Sequence, residues 1–230
     1  MIGIICALKI SADGLKAMIE NAETKTKAGL EFVSGKIFDK DVVILECGVG
    51  KVNAAVGTQV MIDLYKPDVI INSGIAGSLS KIITVGDIIV STDCIEHDIN
   101  CTAIGEPKGQ ITFPEEKIIG IPADKAVCDK LAQCCEGLGA QVMRGRIATG
   151  DVFVSNKSER QTIAFEFGAL CCEMEGGAVG HVCYMNKVPF AILRSISDDF
   201  KFSRGENYEE FKELAADRAI KAIKKFIQTD

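Results

Sequence analysis

The chain has 230 residues, of which 47% are hydrophobic and 25% charged, and a net charge of −6. That balance suits a packed core and excludes a disordered chain, while the acidic sum and the absence of a basic block exclude a protein built to neutralise nucleic-acid phosphates. Two histidines, and ten cysteines without a CxxC pair, supply no metal-ligand spacing, and no apolar run approaches the ~18 residues of a membrane span.

The predicted elements alternate between strands and helices. Residues 2–8 form a short continuous apolar run, the mark of a strand buried on both faces; with no basic stretch before it, this start is a strand and not a secretory leader. Helical spacing follows through Leu15, Met18 and Ile19. Residues 32–36 and 42–47 are two further strands. Gly48-Val49-Gly50-Lys51 then opens a helix over 52–65, stopped by Pro67. Residues 68–72 are the next buried strand, Gly74 to Gly77 a small-residue turn, and 85–91 another strand. From 96 to 120 the chain is polar and turn-rich, the longest stretch without a period, and long loops in compact domains tend to be functional. A helix over 123–138, a strand over 142–149, a helix over 157–167 and a short strand over 169–173 come next. A helix of small residues over 176–186, a strand over 189–195 and an amphipathic helix over 208–229 complete the chain.

This order predicts one α/β domain spanning 1–230 with a largely parallel sheet. Open α/β sheets bind ligands beyond the carboxyl ends of their strands. Asn72-Ser73-Gly74, Thr149-Gly150-Asp151, Glu173-Met174-Glu175 and Ser197-Asp198 are all such ends, so they are expected to converge on one pocket. Glu173 and Glu175 lie two apart, so on a strand one enters the pocket while the other pairs with a structural partner. Ahead of Gly176-Gly177, Glu175 falls near a helix start, where the dipole favours a carboxylate, and as a pure acceptor it suits a vicinal diol; it also reads as a simple helix cap. Asp198, beside Ser197, is a candidate general acid or the cap of a turn. Gly48-Val49-Gly50-Lys51 lacks half of either nucleotide-binding fingerprint and reads as a tight turn. His97-Asp98 is a possible base with its orienting acid, with no nucleophile motif to complete it. The many cysteines in apolar runs are small core residues, which places the chain in a reducing, cytoplasmic setting.

Taken in order, several segments resemble one family over nearly the whole length. They are the opening Ile-Gly-Ile-Ile-Cys-Ala-Leu, the run from Cys47 to Ala55, the run from Pro67 to Gly77, Val85-Gly86-Asp87-Ile88, His97-Asp98, Thr149 to Phe153, Glu173-Met174-Glu175, Val188-Pro189-Phe190 and Arg194 to Asp198. The family is the bacterial 5′-methylthioadenosine/S-adenosylhomocysteine nucleosidases, within the nucleoside phosphorylase superfamily. The resemblance implies a three-layer αβα sandwich around a twisted mixed sheet, a homodimer, and hydrolysis of the N-glycosidic bond of adenine thio-nucleosides with no cofactor and no metal. It implies that Asp198 protonates adenine N7 with Ser197 steering its carboxyl. It also implies that Glu175 binds ribose hydroxyls, that Met174 lies against the sugar, and that Ile75, Ala76 and Gly77 line the ribose side. Phe153 would stack on adenine, backbone groups of Val154 would read its edge, Tyr208 would pack on the pocket, and the loop over 100–114 would reach the partner's alkylthio pocket.

The chain departs from that pattern in the first helix. Where the family places a glutamate to activate water, this sequence has Ser11, which is no base by itself but a good helix N-cap; Asp13 is the nearest acid. Three readings follow. Water is held by Ser11 and Glu175; or phosphate is the nucleophile, against which Ile75 offers no hydroxyl while Arg204 is unassigned; or the chain is a nucleoside-binding relative.

Overall fold

The computed structural model describes residues 1–198 and 208–229, with the backbone alone at 208–210. In chain order the elements are β1 (Ile2–Cys6), α1 (Lys9–Lys16), β2 (Glu20–Lys27), β3 (Leu30–Ile37), β4 (Lys40–Glu46), α2 (Lys51–Tyr65), β5 (Val69–Ser78) and β6 (Ile88–Glu96). They continue with β7 (Ile111–Thr112), β8 (Lys117–Ile118), β9 (Ile121–Pro122), α3 (Lys125–Cys135), β10 (Val142–Thr149), α4 (Lys157–Phe167), β11 (Cys171–Glu173), α5 (Gly176–Asn186), β12 (Phe190–Asp198) and α6 (Tyr208–Thr229). Among the described residues, no helix is long and apolar enough to cross a membrane.

Ten strands form one mixed sheet in the order β11-β10-β6-β12-β5-β1-β4-β3-β2, with β9 on β6. β1 runs parallel to β4 and β5, β12 parallel to β5, and β10 parallel to β6 and β11, whereas β12 and β6 are antiparallel. The strand period sorts apolar side chains onto the two faces. Ile2, Ile4, Val42 and Ile44 pack on one side with Leu15 of α1, Leu131 of α3 and Phe226 of α6. Ile5, Val43 and Leu45 pack on the other with Met61 of α2 and Val179 of α5. That is the expected αβα layering, each helix burying its apolar stripe.

Two sequence expectations change. Residues 74–77 are not a turn but the second half of β5, paired along its length with β12. Small residues sit there because neighbours crowd the strand: a Cβ added to Gly77 would lie 3.0 Å from Asp198 Oδ1. Past β1's reach, β5 pairs antiparallel with β11 through Cys171↔Ser78 and Cys172↔Gly77, so β5, β12, β6, β10 and β11 close into a ring. The second change is β2, absent from the sequence reading. Its eight residues, ENAETKTK, are all exposed, so it carries no hydrophobic alternation; it forms because β3 offers a free edge, and its charges blunt the new edge. The polar stretch after β6 holds a 3₁₀ turn over Thr102–Ile104 and the β7–β8 hairpin.

Candidate active site

A cavity opens at the carboxyl ends of β5, β11 and β12. Its walls are Ala7 and Leu8 after β1, Val49 before α2, Ser73 to Gly77 of β5, Val152 to Val154 after β10, Cys172 to Glu175, and Arg194, Ser197 and Asp198 of β12. Three of the four polar strand ends thus line one space. The fourth stands just behind: Thr149 donates to Glu173, and Asp151 caps α2.

Glu173 and Glu175 both line the cavity but have different partners, Glu173 ending β11 and Glu175 standing past the strand at the start of α5. Glu173, the last residue of β11, is a buried hub. It accepts from Thr149 Oγ1 and from Arg194 Nη2, and from the amides of Glu175 at 2.9 Å and Gly176 at 2.7 Å. Burial alone would push its carboxyl up, yet the Arg194 guanidinium and these hydrogen bonds hold it below its ordinary range. Arg194 also donates to Asn72 Oδ1 and to the backbone oxygens of Asn72 and Leu193. Glu175 occupies the N-cap position of α5, with φ −133° and ψ −40°. Its Oε1 accepts the Gly50 amide at 2.9 Å. Burial, and then the neighbouring charge of Glu173, raise this carboxyl to about 7.

Asp198 ends β12 with its carboxyl 5% exposed. Arg160 Nη2 donates to Oδ1 and Ser197 Oγ to Oδ2 at 3.1 Å. The same Ser197 hydroxyl reaches Ala76 O at 3.4 Å, so a rotation about its C–O bond uncovers Oδ2. Arg160 also donates from Nε to Val154 O at 2.9 Å, tying the acid to the backbone expected to read the base. Phe153 is half exposed at the mouth of the cavity. Ile75, Ala76, Gly77 and Met174 line the same space.

Ser11 does not join them. It lies inside α1, whose N-cap is Leu8 and not Ser11; it is buried, its Oγ has no partner among the described residues, and it is not part of the cavity wall. Asp13 is half exposed and paired with Lys9 at 2.6 Å. The His97-Asp98 pairing is replaced by another: Asp98 takes Lys51 Nζ at 2.7 Å and the Asp151 amide at 2.8 Å, while His97 is buried outside the cavity, its Nε2 without a partner among the described residues. The amides of Gly50 and Lys51 at the start of α2, the natural seat for an anion, are taken by Glu175 Oε1 and by Asp151 Oδ1. Two carboxylates therefore stand where a phosphate nucleophile would need donors. The Tyr208 side chain and Arg204 lie outside the described residues.

The sequence of residues 1–228 matches the family described as the phosphorylase superfamily. A 5′-methylthioadenosine/S-adenosylhomocysteine nucleosidase of Bacillus subtilis (strain 168) is 35% identical over 99% of this chain and 98% of its own. The chain belongs to this nucleosidase family. The fold agrees. The nucleosidase of Neisseria meningitidis in complex with methylthio-immucillin-A superimposes with a TM-score of 0.92 at 30% identity, covering 100% of this chain and 99% of the other. That of Colwellia psychrerythraea 34H in complex with adenine gives 0.90 at 30% identity, covering 98% and 93%.

Set against the family resemblance, the sequence reading passed over Arg160 and gave Arg194 no role. Both had a signal. In α4 the buried residues are Arg160, Ile163 and Phe167, so the arginine stands on the apolar stripe, where a charge is retained only with a partner. Arg194 lies within a strand buried at every position.

Proposed function

We propose that this nucleosidase-family chain hydrolyses the N-glycosidic bond of methylthioadenosine and adenosylhomocysteine and releases adenine. Asp198 delivers a proton to the departing base, Ser197 turning toward Ala76 to free Oδ2. Glu175 holds the ribose hydroxyls. Neutral adenine is a poor leaving group until its ring is protonated, and the sugar then passes through an oxocarbenium-like state that a nearby carboxylate stabilises. Phe153 stacks on the base, Val154 reads its edge, and Met174 and Ile75 to Gly77 flank the sugar. The observation that carries this reading is that Asp198 and Glu175, far apart in sequence, line a single cavity.

The working unit is a homodimer of single-domain chains in the cytoplasm, serving methionine salvage and nucleoside catabolism. Support for the dimer comes from Val49, Val52 and Val56, exposed at helical spacing along the start of α2 beside the cavity mouth. The loop over 100–114 then faces the partner's alkylthio pocket.

The test is adenine release from methylthioadenosine, adenosylhomocysteine, adenosine and inosine, with and without phosphate. Release without phosphate is expected. Phosphate-dependent release identifies a phosphorylase, and adenine binding without release a binding protein. Asp198→Asn should abolish release and keep adenine binding; near-full activity in that variant removes Asp198 from the role of acid.

A further inference from the structure

Hydrolysis also needs a group to take a proton from the attacking water. The first helix supplies none: Ser11 is off the cavity wall, and Asp13 points to solvent with Lys9. Among the described residues the acids lining the cavity are Glu173, Glu175 and Asp198, and no histidine lines it. The one thiol on the wall, Cys172, is pushed by burial up to about 12, which removes it as a base at neutral pH.

The hydrogen bonds separate the three acids. Both oxygens of Glu173 are committed, to Thr149 on one side and to Arg194 and two amides on the other. Both oxygens of Asp198 are held by Arg160 and Ser197, and its task is to give a proton. Glu175 is the least committed: Oε1 takes the Gly50 amide, the Met174 amide also hydrogen-bonds the carboxyl, and no side chain among the described residues is hydrogen-bonded to it. The groups facing Glu175 are Glu173 of β11, Arg194 of β12, the Cys47 thiol after β4, and the Gly50 and Met174 amides. The anchored Oε1 fixes the orientation of the carboxylate at the cavity wall.

We propose that Glu175 is the base that deprotonates the attacking water in this chain, as well as the ligand of the ribose; the proposal rests on the nucleosidase reading above. The water oxygen bonds to C1′ as the C1′–N9 bond breaks. The electron pair of that bond leaves with adenine, whose ring takes the Asp198 proton, and the water proton passes to Glu175 Oε2. Exchange with solvent afterwards removes the proton from Glu175 and restores one to Asp198. With burial and the Glu173 charge raising its carboxyl to about 7, Glu175 has the basicity that a general base needs near neutral pH.

The experiment compares wild type, Glu175→Gln and Glu175→Ala on methylthioadenosine from pH 5 to 9. Circular dichroism checks the fold, and sodium azide serves as a nucleophile that needs no deprotonation. Wild-type kcat should fall as pH drops through about 7. Glu175→Gln, which still accepts hydrogen bonds from the sugar, should lose about 10²–10⁴-fold in kcat with KM within a few-fold, and should lose the acid limb of the pH profile. Glu175→Ala with azide should regain adenine release and yield the ribosyl azide. The proposal is overturned if Glu175→Gln raises KM and leaves kcat near wild type, if its acid limb persists, or if azide fails to rescue Glu175→Ala. Those outcomes leave the nucleosidase reading intact as long as the wild type releases adenine; a wild type that releases none ends both.

Discussion

The pair of carboxylates at the cavity has a thermodynamic signature that can be read without substrate. Folding raises Glu175 from an ordinary value of 4.5 to about 7, because the charged form leaves water and sits beside ionised Glu173. At about 1.4 kcal/mol for each tenfold change in proton affinity, keeping this carboxylate charged costs the folded state roughly 3 kcal/mol. The sign follows from linkage. Below pH 4.5 the group is protonated in both states and the cost is absent. The cost grows as pH rises and is complete above about pH 7. Glu175→Gln removes the charge and retains an oxygen for the Gly50 amide. At pH 8 the variant should therefore be about 2–3 kcal/mol more stable than the wild type, with part of the gain shared through Glu173, and the advantage should vanish toward pH 4.5. Urea unfolding of both proteins at half-unit steps from pH 4.5 to 8.5 measures it. Equal stability across that range, or a variant weaker than wild type at pH 8, would refute the claim that Glu175 is held charged against its environment.

Two further predictions address the neighbouring residues. Arg160→Met strands a buried carboxylate and should cost about 3–5 kcal/mol in urea unfolding; combining it with Asp198→Asn should recover about 0.5–3 kcal/mol of that loss, and strict additivity would mean that the two side chains do not act as a pair. Ser11→Ala removes a buried hydroxyl that has no partner among the described residues, so stability should hold or rise by about 1 kcal/mol and adenine release should stay within threefold of wild type; a tenfold loss in release would bring Ser11 into the reaction.

Much of this architecture was legible before any coordinates. The buried strands announced themselves as continuous apolar runs, and α4 and α5 fall at the expected residues, since Asn156 caps one through Ser158 N at 2.8 Å and glycines open the other. The spacing of Glu173 and Glu175 announced that the two acids would differ but not which would do what; both line the cavity, and Glu175 stands at a helix cap and not on the strand. What escaped had physical causes. β2 is stabilised by an edge and not by burial, so no pattern encodes it. The second half of β5 carries two glycines that read as a turn, and at Gly77 the Asp198 carboxyl leaves too little room for a Cβ. Arg160 is visible only as an incongruous charge on an apolar stripe, and its partner lies 38 residues away. Ser11 stands where the resemblance implies a water-activating glutamate, but its location off the cavity wall is a matter of helix phase.

The start of α2 has a glycine in the capping position and no side chain of its own to cap it. Its first two amides are instead closed by residues 125 and 100 positions further along the chain, one of which is the carboxylate proposed to work on the substrate. The integrity of that helix end and the readiness of the reaction centre are consequently maintained by the same atoms. Whatever draws Glu175 toward a sugar loosens a turn of helix, and whatever frays that turn unseats the carboxylate.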